Sequence, residues 1–326
     1  MDLPLHAECR SRYGPLVFIC ELRFVVLHHT PGESLTPVFR SSSSIMPELD
    51  VPGATLHYET QGAGPVLLCI SGASGSHEIY KPIARYLKDK FTVVMYDRRG
   101  FSQSYLTGAQ DYDQRVERDA DDAAALIQHL SPDEPATVLA NSSGAIVSLK
   151  LLQRHEDEIR FLVCHEPPAF SFLPDRDELE RTQDGIYQLY RKGGTFPALA
   201  EFAKMIDTPE QELPLFMKAF DPRSGPNVFA NVQYWFEREL PYYPLTKYAS
   251  RDFQPLRHKL LLANGADTRT HTFQYRANAT LAQDLGQELV IVAGAHIGFA
   301  THAKQFAVDM VEALKERDGF YETLSG

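Results

Sequence analysis

The stretch "VLANSSGAIVSLKLL", residues 138–152, sets a β-rich apolar run against an amphipathic one, with Asn141, Ser142, Ser143 and Gly144 between them. So sharp a passage from strand to helix admits two readings. Serine at a helix N-terminus caps it by accepting hydrogen bonds from orphan backbone N–H groups. Alternatively, A-N-S-S-G is a variant of the small-x-nucleophile-x-small turn G-x-S-x-G. Ala140 and Gly144 are then small because the nucleophile, Ser142, occupies a strained bend that bulkier neighbours would obstruct. The second reading demands a buried strand before the turn and a helix after it, so the surrounding pattern decides.

Outward from this turn the pattern is regular. "ATLHYETQG" alternates like an edge strand, and "PVLLCIS" is a continuous apolar run ending at Gly72, as a strand buried on both faces would be. "IYKPIARYLKDK" has helical spacing, "FTVVMYD" is a second buried strand, and "QRVERDADDAAALIQHL" reads as a helix with a charged outer face. After "ATVLA" and the helix from Gly144 to about His155 comes "RFLVCHE". This βαβ repetition predicts a mostly parallel sheet with helices on both faces.

The repetition stops over about 167–256, where helical, aromatic segments such as "PALAEFAKMID" and "NVFANVQYWFEREL" predict a helical cap. It resumes with "HKLLLANG", "FQYRANATLAQDLG", "ELVIVAG" and "AKQFAVDMVEALKER". The expected α/β domain therefore spans 46–326, with core segments 46–166 and 257–326. Ligand space is expected beneath the cap, at the carboxyl ends of the strands. Residues 1–45 do not continue the pattern: "PLVFIC" and "FVVLHH" are short and are split by Glu21 and Arg23, which fits neither a signal peptide nor a membrane span. They are expected to be a disordered leader or a mis-assigned start.

Composition bounds the partners. With 326 residues, 44% of them apolar, the chain can bury a sizeable core, and a net charge of −11 argues against nucleic-acid or anionic-membrane partners. Cys69 and Cys164 lie inside apolar strand-like runs and Cys9 and Cys20 are distant, so buried free thiols in a reducing, cytoplasmic compartment are expected. The turn "ISGASGSHEIY" with Asp97 beyond it superficially matches a dinucleotide fingerprint, but its glycines read G-x-x-G. Neither a cofactor nor a metal is expected, since no H-E-x-x-H spacing occurs either. Asp97 and Arg98 are expected to hold their loop by local hydrogen bonds.

A serine nucleophile needs a base. Of twelve histidines, His296 in "IVAGAHIGFATHAKQFA" follows the last buried strand and precedes the last helix, which brings it to the same sheet end as Ser142. His57, His77, His129, His155, His258, His271 and His302 fall on stretches that read as exposed.

With "GAGPVLLCISG", "YDRRGFSQS", the serine turn, the cap and the terminal "GAHIGF" in place, the chain from Met46 onward resembles the α/β-hydrolase superfamily. The resemblance implies an oxyanion hole from the backbone N–H groups of Ser143 and Ala73, one at a helix N-terminus and one in a glycine turn. Most relatives carry an aspartate as G-x-x-D after the seventh strand; here "ANGADTRT" puts Asp267 one position early and Thr268 in its place. "CHEPPAF" offers Glu166 after the sixth strand, which is similar to the fungal zearalenone-type lactone hydrolases, where a glutamate in C-H-E-x-P serves as the acid. Pro167 is expected to hold Glu166 extended. Glu166 and Asp267 both stay open as the acid.

The expected activity is cofactor-independent hydrolysis of a small hydrophobic ester or lactone, with "QYWFEREL" and "ELPYYPLTKY" as candidate pocket walls. A receptor-like binding protein with little turnover, or a C–C hydrolase or lyase on the same site, is the alternative. Ser142 stands where a haloalkane dehalogenase would need aspartate.

Overall fold

A computed structural model describes residues 47–324; the expected leader, residues 1–45, lies outside the described residues. Eight strands run β1 (Glu48–Val51), β2 (Ala54–Gln61), β3 (Val66–Ile70), β4 (Thr92–Tyr96), β5 (Ala136–Asn141), β6 (Ile159–His165), β7 (Leu260–Gly265) and β8 (Val290–Val292). A further two-residue ladder, Tyr105–Leu106, pairs with β2. The sheet order is β1-β2-β4-β3-β5-β6-β7-β8, antiparallel as far as the β2–β4 pair and parallel beyond it.

The strand at Ala54–Gln61 was expected at an edge, and it is not there. β1 covers it, so the first five residues of β2 are all buried and its alternation is lost. β1 itself alternates between exposed and half-buried positions, as the true edge should. In β3 every residue is buried: Leu67 and Cys69 join the core on one face, Leu68 and Ile70 the core on the other. Helix α1 (Lys81–Leu87) and the closing helix Ala303–Arg317 cover the first face; α2 (Arg115–Leu130) and α3 (Ser143–Arg154) cover the second. Cys69 and Cys164 are buried free thiols.

After β6 the chain leaves the sheet for the cap: α4 (Arg176–Gly193), α5 (Thr195–Met205), α6 (Leu213–Ala219), α7 (Val228–Arg238) and the short α8 (Ser250–Phe253). α4 forms where acids open it (Asp177, Glu178) and bases close it (Arg191, Lys192), matching the helix dipole. Aromatic packing joins the cap helices, with Tyr190 stacked on Phe236 at 4.3 Å and Phe202 edge-on to Trp235 at 4.8 Å. The chain then returns through β7, α9 (Phe273–Leu285), β8 and a four-residue turn of helix, α10 (Gly298–Thr301), to the closing helix, α11. No helix among the described residues is long and apolar enough to cross a membrane.

The charged outer face expected on α2 is only partly outward. Arg115, Asp119 and Asp122 are buried, because Arg98 and Arg99 from the loop after β4 point in to meet them. Arg98 is fully buried. Its Nη1 donates to Asp119 Oδ2 at 2.9 Å and to Glu239 Oε1 at 2.7 Å, and its Nη2 donates to Glu239 Oε2 at 2.7 Å and to the Gly72 carbonyl at 2.9 Å. Asp97 holds its loop locally as expected, accepting from the backbone N–H groups of His77 and Gln103, but Arg98 reaches across the molecule to the cap.

Candidate active site

Ser142 joins β5 to α3 with φ +54° and ψ −129°, a conformation that costs a non-glycine residue of order 1–3 kcal/mol. Its side chain makes no capping hydrogen bond to the helix it precedes, which removes the capping reading of the serine pair. Close packing explains the small neighbours. A Cβ on Gly144 would sit 2.3 Å from the Ile70 carbonyl oxygen, and one on Gly72 would sit 2.8 Å from Ser142 Cβ. Ala140, in place of the usual glycine, fits buried in β5.

Ser143 opens α3, so its backbone N–H lies in the first helical turn and has no intrahelical acceptor. Ala73 follows Gly72 in a tight turn closed by the Gly75 N–H on the Gly72 carbonyl at 2.8 Å. Ala73, Ser142, Ser143 and His296 line one narrow pocket under the cap with Trp235 and Phe273. Ala73, Ser142 and His296 also line a second, together with Phe220 and Phe299. No hydrogen bond joins Ser142 Oγ to the His296 ring; the two meet as walls of the same pockets.

His296 sits in the loop after β8, mostly buried, and its Nδ1 lies 2.8 Å from Glu166 Oε2. The other Glu166 oxygen accepts from the Gly265 N–H at 2.9 Å, so the fully buried carboxylate is held at both ends. Glu166 is not extended, as Pro167 was expected to make it. It has φ +49°, a left-handed turn that carries the carboxylate off the end of β6 toward β7 and the His296 loop. Burial alone would raise the Glu166 pKa, but the His296 hydrogen bond and the neighbouring imidazoles outweigh it and hold the group down at about 2. Asp267 is exposed in the turn after β7, anchored by its backbone N–H to the Gly294 carbonyl, and its side chain meets no partner among the described residues. Of the two candidate acids, only Glu166 is brought to His296.

His165, one residue before Glu166, is fully buried with neither ring nitrogen hydrogen-bonded among the described residues, and desolvation lowers its pKa to about 4. It packs edge-on against Phe299 and Phe306, beneath His296. Glu239, buried at the end of α7, was not singled out from the sequence. It lines the first pocket, accepts from Ser143 Oγ at 3.3 Å and carries the Arg98 pair. Its only sequence signal is an acid inside an aromatic segment, "QYWFEREL". Two further expectations fail: His57 and His77, read as exposed, are 1% and 2% exposed, because β1 and the turn after β3 enclose them.

Comparison with known proteins agrees with this architecture. Residues 65–303 match the alpha/beta hydrolase fold family. The chain is 31% identical over 278 residues to a hydrolase of Bacillus subtilis, YraK, whose function is uncharacterised; the match covers 82% of this chain and 96% of that one. Among solved structures, a thermophilic esterase from Thermogutta terrifontis superposes with TM-score 0.61 at 18% identity, covering 83% of this chain and 99% of that one. The enol-lactonase from Burkholderia xenovorans LB400 gives 0.59 at 20%, covering 82% and 100%. At these identities the two structures speak for the fold alone. The sequence kinship is with a bacterial hydrolase, and nothing in these matches ties the chain specifically to the fungal lactone hydrolases. On the family match and the shared architecture, the chain belongs to the alpha/beta hydrolase fold family.

Proposed function

We propose that the protein is a serine hydrolase that cleaves an ester or lactone of a small hydrophobic molecule through an acyl-enzyme, with Ser142 as nucleophile, His296 as base and Glu166 as the acid. The observation that carries this reading is the strained Ser142 turn facing the same pockets as an imidazole whose Nδ1 is fixed by a buried carboxylate. With Nδ1–H donating to Glu166, the Nε2 lone pair is free to accept the Ser142 proton as Oγ attacks the carbonyl carbon. The Ser143 and Ala73 N–H groups would receive the oxyanion. The proton passes to the departing alkoxide, and water then hydrolyses the acyl-enzyme; with a lactone the alcohol stays tethered and the product is a hydroxy acid. Phe202, Trp235, Leu240, Tyr243 and Phe273 give the first pocket its apolar lining, which suits a hydrophobic acyl or ring portion. A lactone is in keeping with the C-H-E-x-P context of Glu166.

The lack of a Ser142–His296 hydrogen bond favours a second reading, a binding protein with little turnover. Active-site bonds that tighten only with substrate are common, so labelling decides. A fluorophosphonate probe followed by peptide mapping should modify Ser142. Ser142→Ala should abolish labelling, while Ser143→Ala, which keeps the backbone N–H, should retain it and most ester or lactone turnover. Modification at Ser143 would place the turn in the wrong register, and no labelling with retained ligand binding would favour the binding protein.

A further inference from the structure

On the far side of the β3 turn from Ser142, the donor atoms of His57, Glu59 and His77 lie within 4.8 Å of one another. His57 and Glu59 are two residues apart on β2, a spacing that puts both side chains on one face of the strand. His77 follows the turn that carries Ala73.

The hydrogen bonding around them does not close. His77 Nδ1 is 2.7 Å from Asp97 Oδ1, while its Nε2 is 3.1 Å from Glu59 Oε1 and 3.2 Å from Glu78 Oε1. A neutral imidazole has one proton, so it satisfies the carboxylate on one side and turns a lone pair on those at the other. Adding a proton to His77 would mend that side only. His57 is 1% exposed and has no partner at either ring nitrogen among the described residues, an arrangement that is costly for a buried polar ring. Three carboxylates, Glu59, Glu78 and Asp97, lie around His77, and Glu59 and Glu78 share the Lys81 ammonium, whose Nζ is 3.2 Å from Glu59 and 2.7 Å from Glu78. With neutral imidazoles the cluster carries an excess of two negative charges.

We propose that His57, Glu59 and His77 bind a divalent transition cation of the zinc type, at a site separate from the serine and independent of its chemistry. Two imidazole nitrogens and one carboxylate are a zinc donor set, and Asp97 on His77 Nδ1 is the outer carboxylate that orients a ligating histidine. The cation meets the His57 nitrogen and the His77 Nε2 lone pair together, which a proton does not. Glu78 is within reach of the fourth position, and Lys81, about a third exposed, is free to swing out. Bound there, the cation would tie β2 to the loop that carries Ala73.

The full-length, chelator-treated protein is titrated with zinc by calorimetry and with cobalt by its visible absorption, which reports imidazole and carboxylate coordination. The wild type is expected to bind one equivalent more than His57→Phe, whose ring fills the same space, and one more than Glu59→Gln, a partly exposed change that preserves folding if His57→Phe does not. Asp97→Asn should weaken that equivalent by roughly 10- to 100-fold, and Lys81→Met should tighten it. Histidines and cysteines of residues 1–45 contribute equally to all variants and cancel in the difference. Equal stoichiometry in the wild type and both ligand variants, or no binding by the wild type, would overturn the proposal.

Discussion

Replacing Glu166 with glutamine keeps shape and volume and removes only the charge, so its consequences follow from two hydrogen bonds. If the amide oxygen faces His296 Nδ1, the amide NH2 opposes the Gly265 N–H, leaving two buried donors unmet at about 1–3 kcal/mol each. If the amide turns over, its NH2 faces Nδ1, the imidazole proton moves to Nε2, and the ring can no longer accept from Ser142. Either way kcat is expected to fall by roughly 10³ to 10⁴, as for loss of a triad carboxylate. The same carboxylate also stabilises the fold. Its pKa of about 2, against an ordinary 4.5, corresponds to about 3 kcal/mol, present above pH 4.5 and lost as pH falls through about 2. Glu166→Gln should therefore lower Tm at pH 7 by roughly 6–12 °C. Ester turnover is compared well below both melting temperatures, beside Asp267→Asn, which should cost less than about tenfold, or ~1.4 kcal/mol. A folded Glu166→Gln protein within tenfold of wild type, with Asp267→Asn the more damaged, would refute the assignment of the acid.

Gly144→Ala should destabilise the fold by about 1–3 kcal/mol in denaturant melts and cut turnover, because its Cβ meets the backbone carbonyls of Ile70 and Ser71 and the Ser143 N–H must shift. His165 is held neutral down to about pH 4, so the unfolded chain binds the extra proton between pH 6.5 and 4 and stability should fall by about 3 kcal/mol as pH drops through that window. His165→Phe should flatten that slope in melts at pH 7, 5.5 and 4.5, and an unchanged slope would show that the ring does not titrate as its burial implies. A chain begun at Met46 is expected to express in soluble form and keep full turnover; loss of either would show that residues 1–45 support the domain.

The sheet, the cap and the position of Ser142 were legible because periodicity and turn chemistry are local. Buried strands such as Val66–Ile70 are continuous apolar runs, and the small residues flanking Ser142 mark the turn in a five-residue motif, although the carbonyls that Gly144 must clear belong to Ile70 and Ser71. What escaped was set by distant groups. The left-handed turn at Glu166 cannot be read from a proline that, taken alone, favours extension. Nothing near Asp119 or Asp122 announces that two arginines from another loop will bury them. His57 read as exposed because "ATLHYETQG" alternates like an edge strand, whereas β1 pairs along β2 and takes the edge, and "ELDV" is too short to signal itself.

The Arg98 guanidinium has a mechanical consequence. By gripping the Gly72 carbonyl, α2 and Glu239 at the end of α7, it pins that end of the cap to the floor of the site. Lifting α7 there would strand unpaired charges away from water, a loss of about 3–5 kcal/mol. At the other end of α7 a cavity of about 670 Å³ runs between Ser74, Ile79 and Ala219 and shares those residues with the second serine pocket. If Ser142 is the nucleophile proposed, the arginine fixes one end of the cap over the serine and that cavity, beside α6, is the expected way in and out for a substrate.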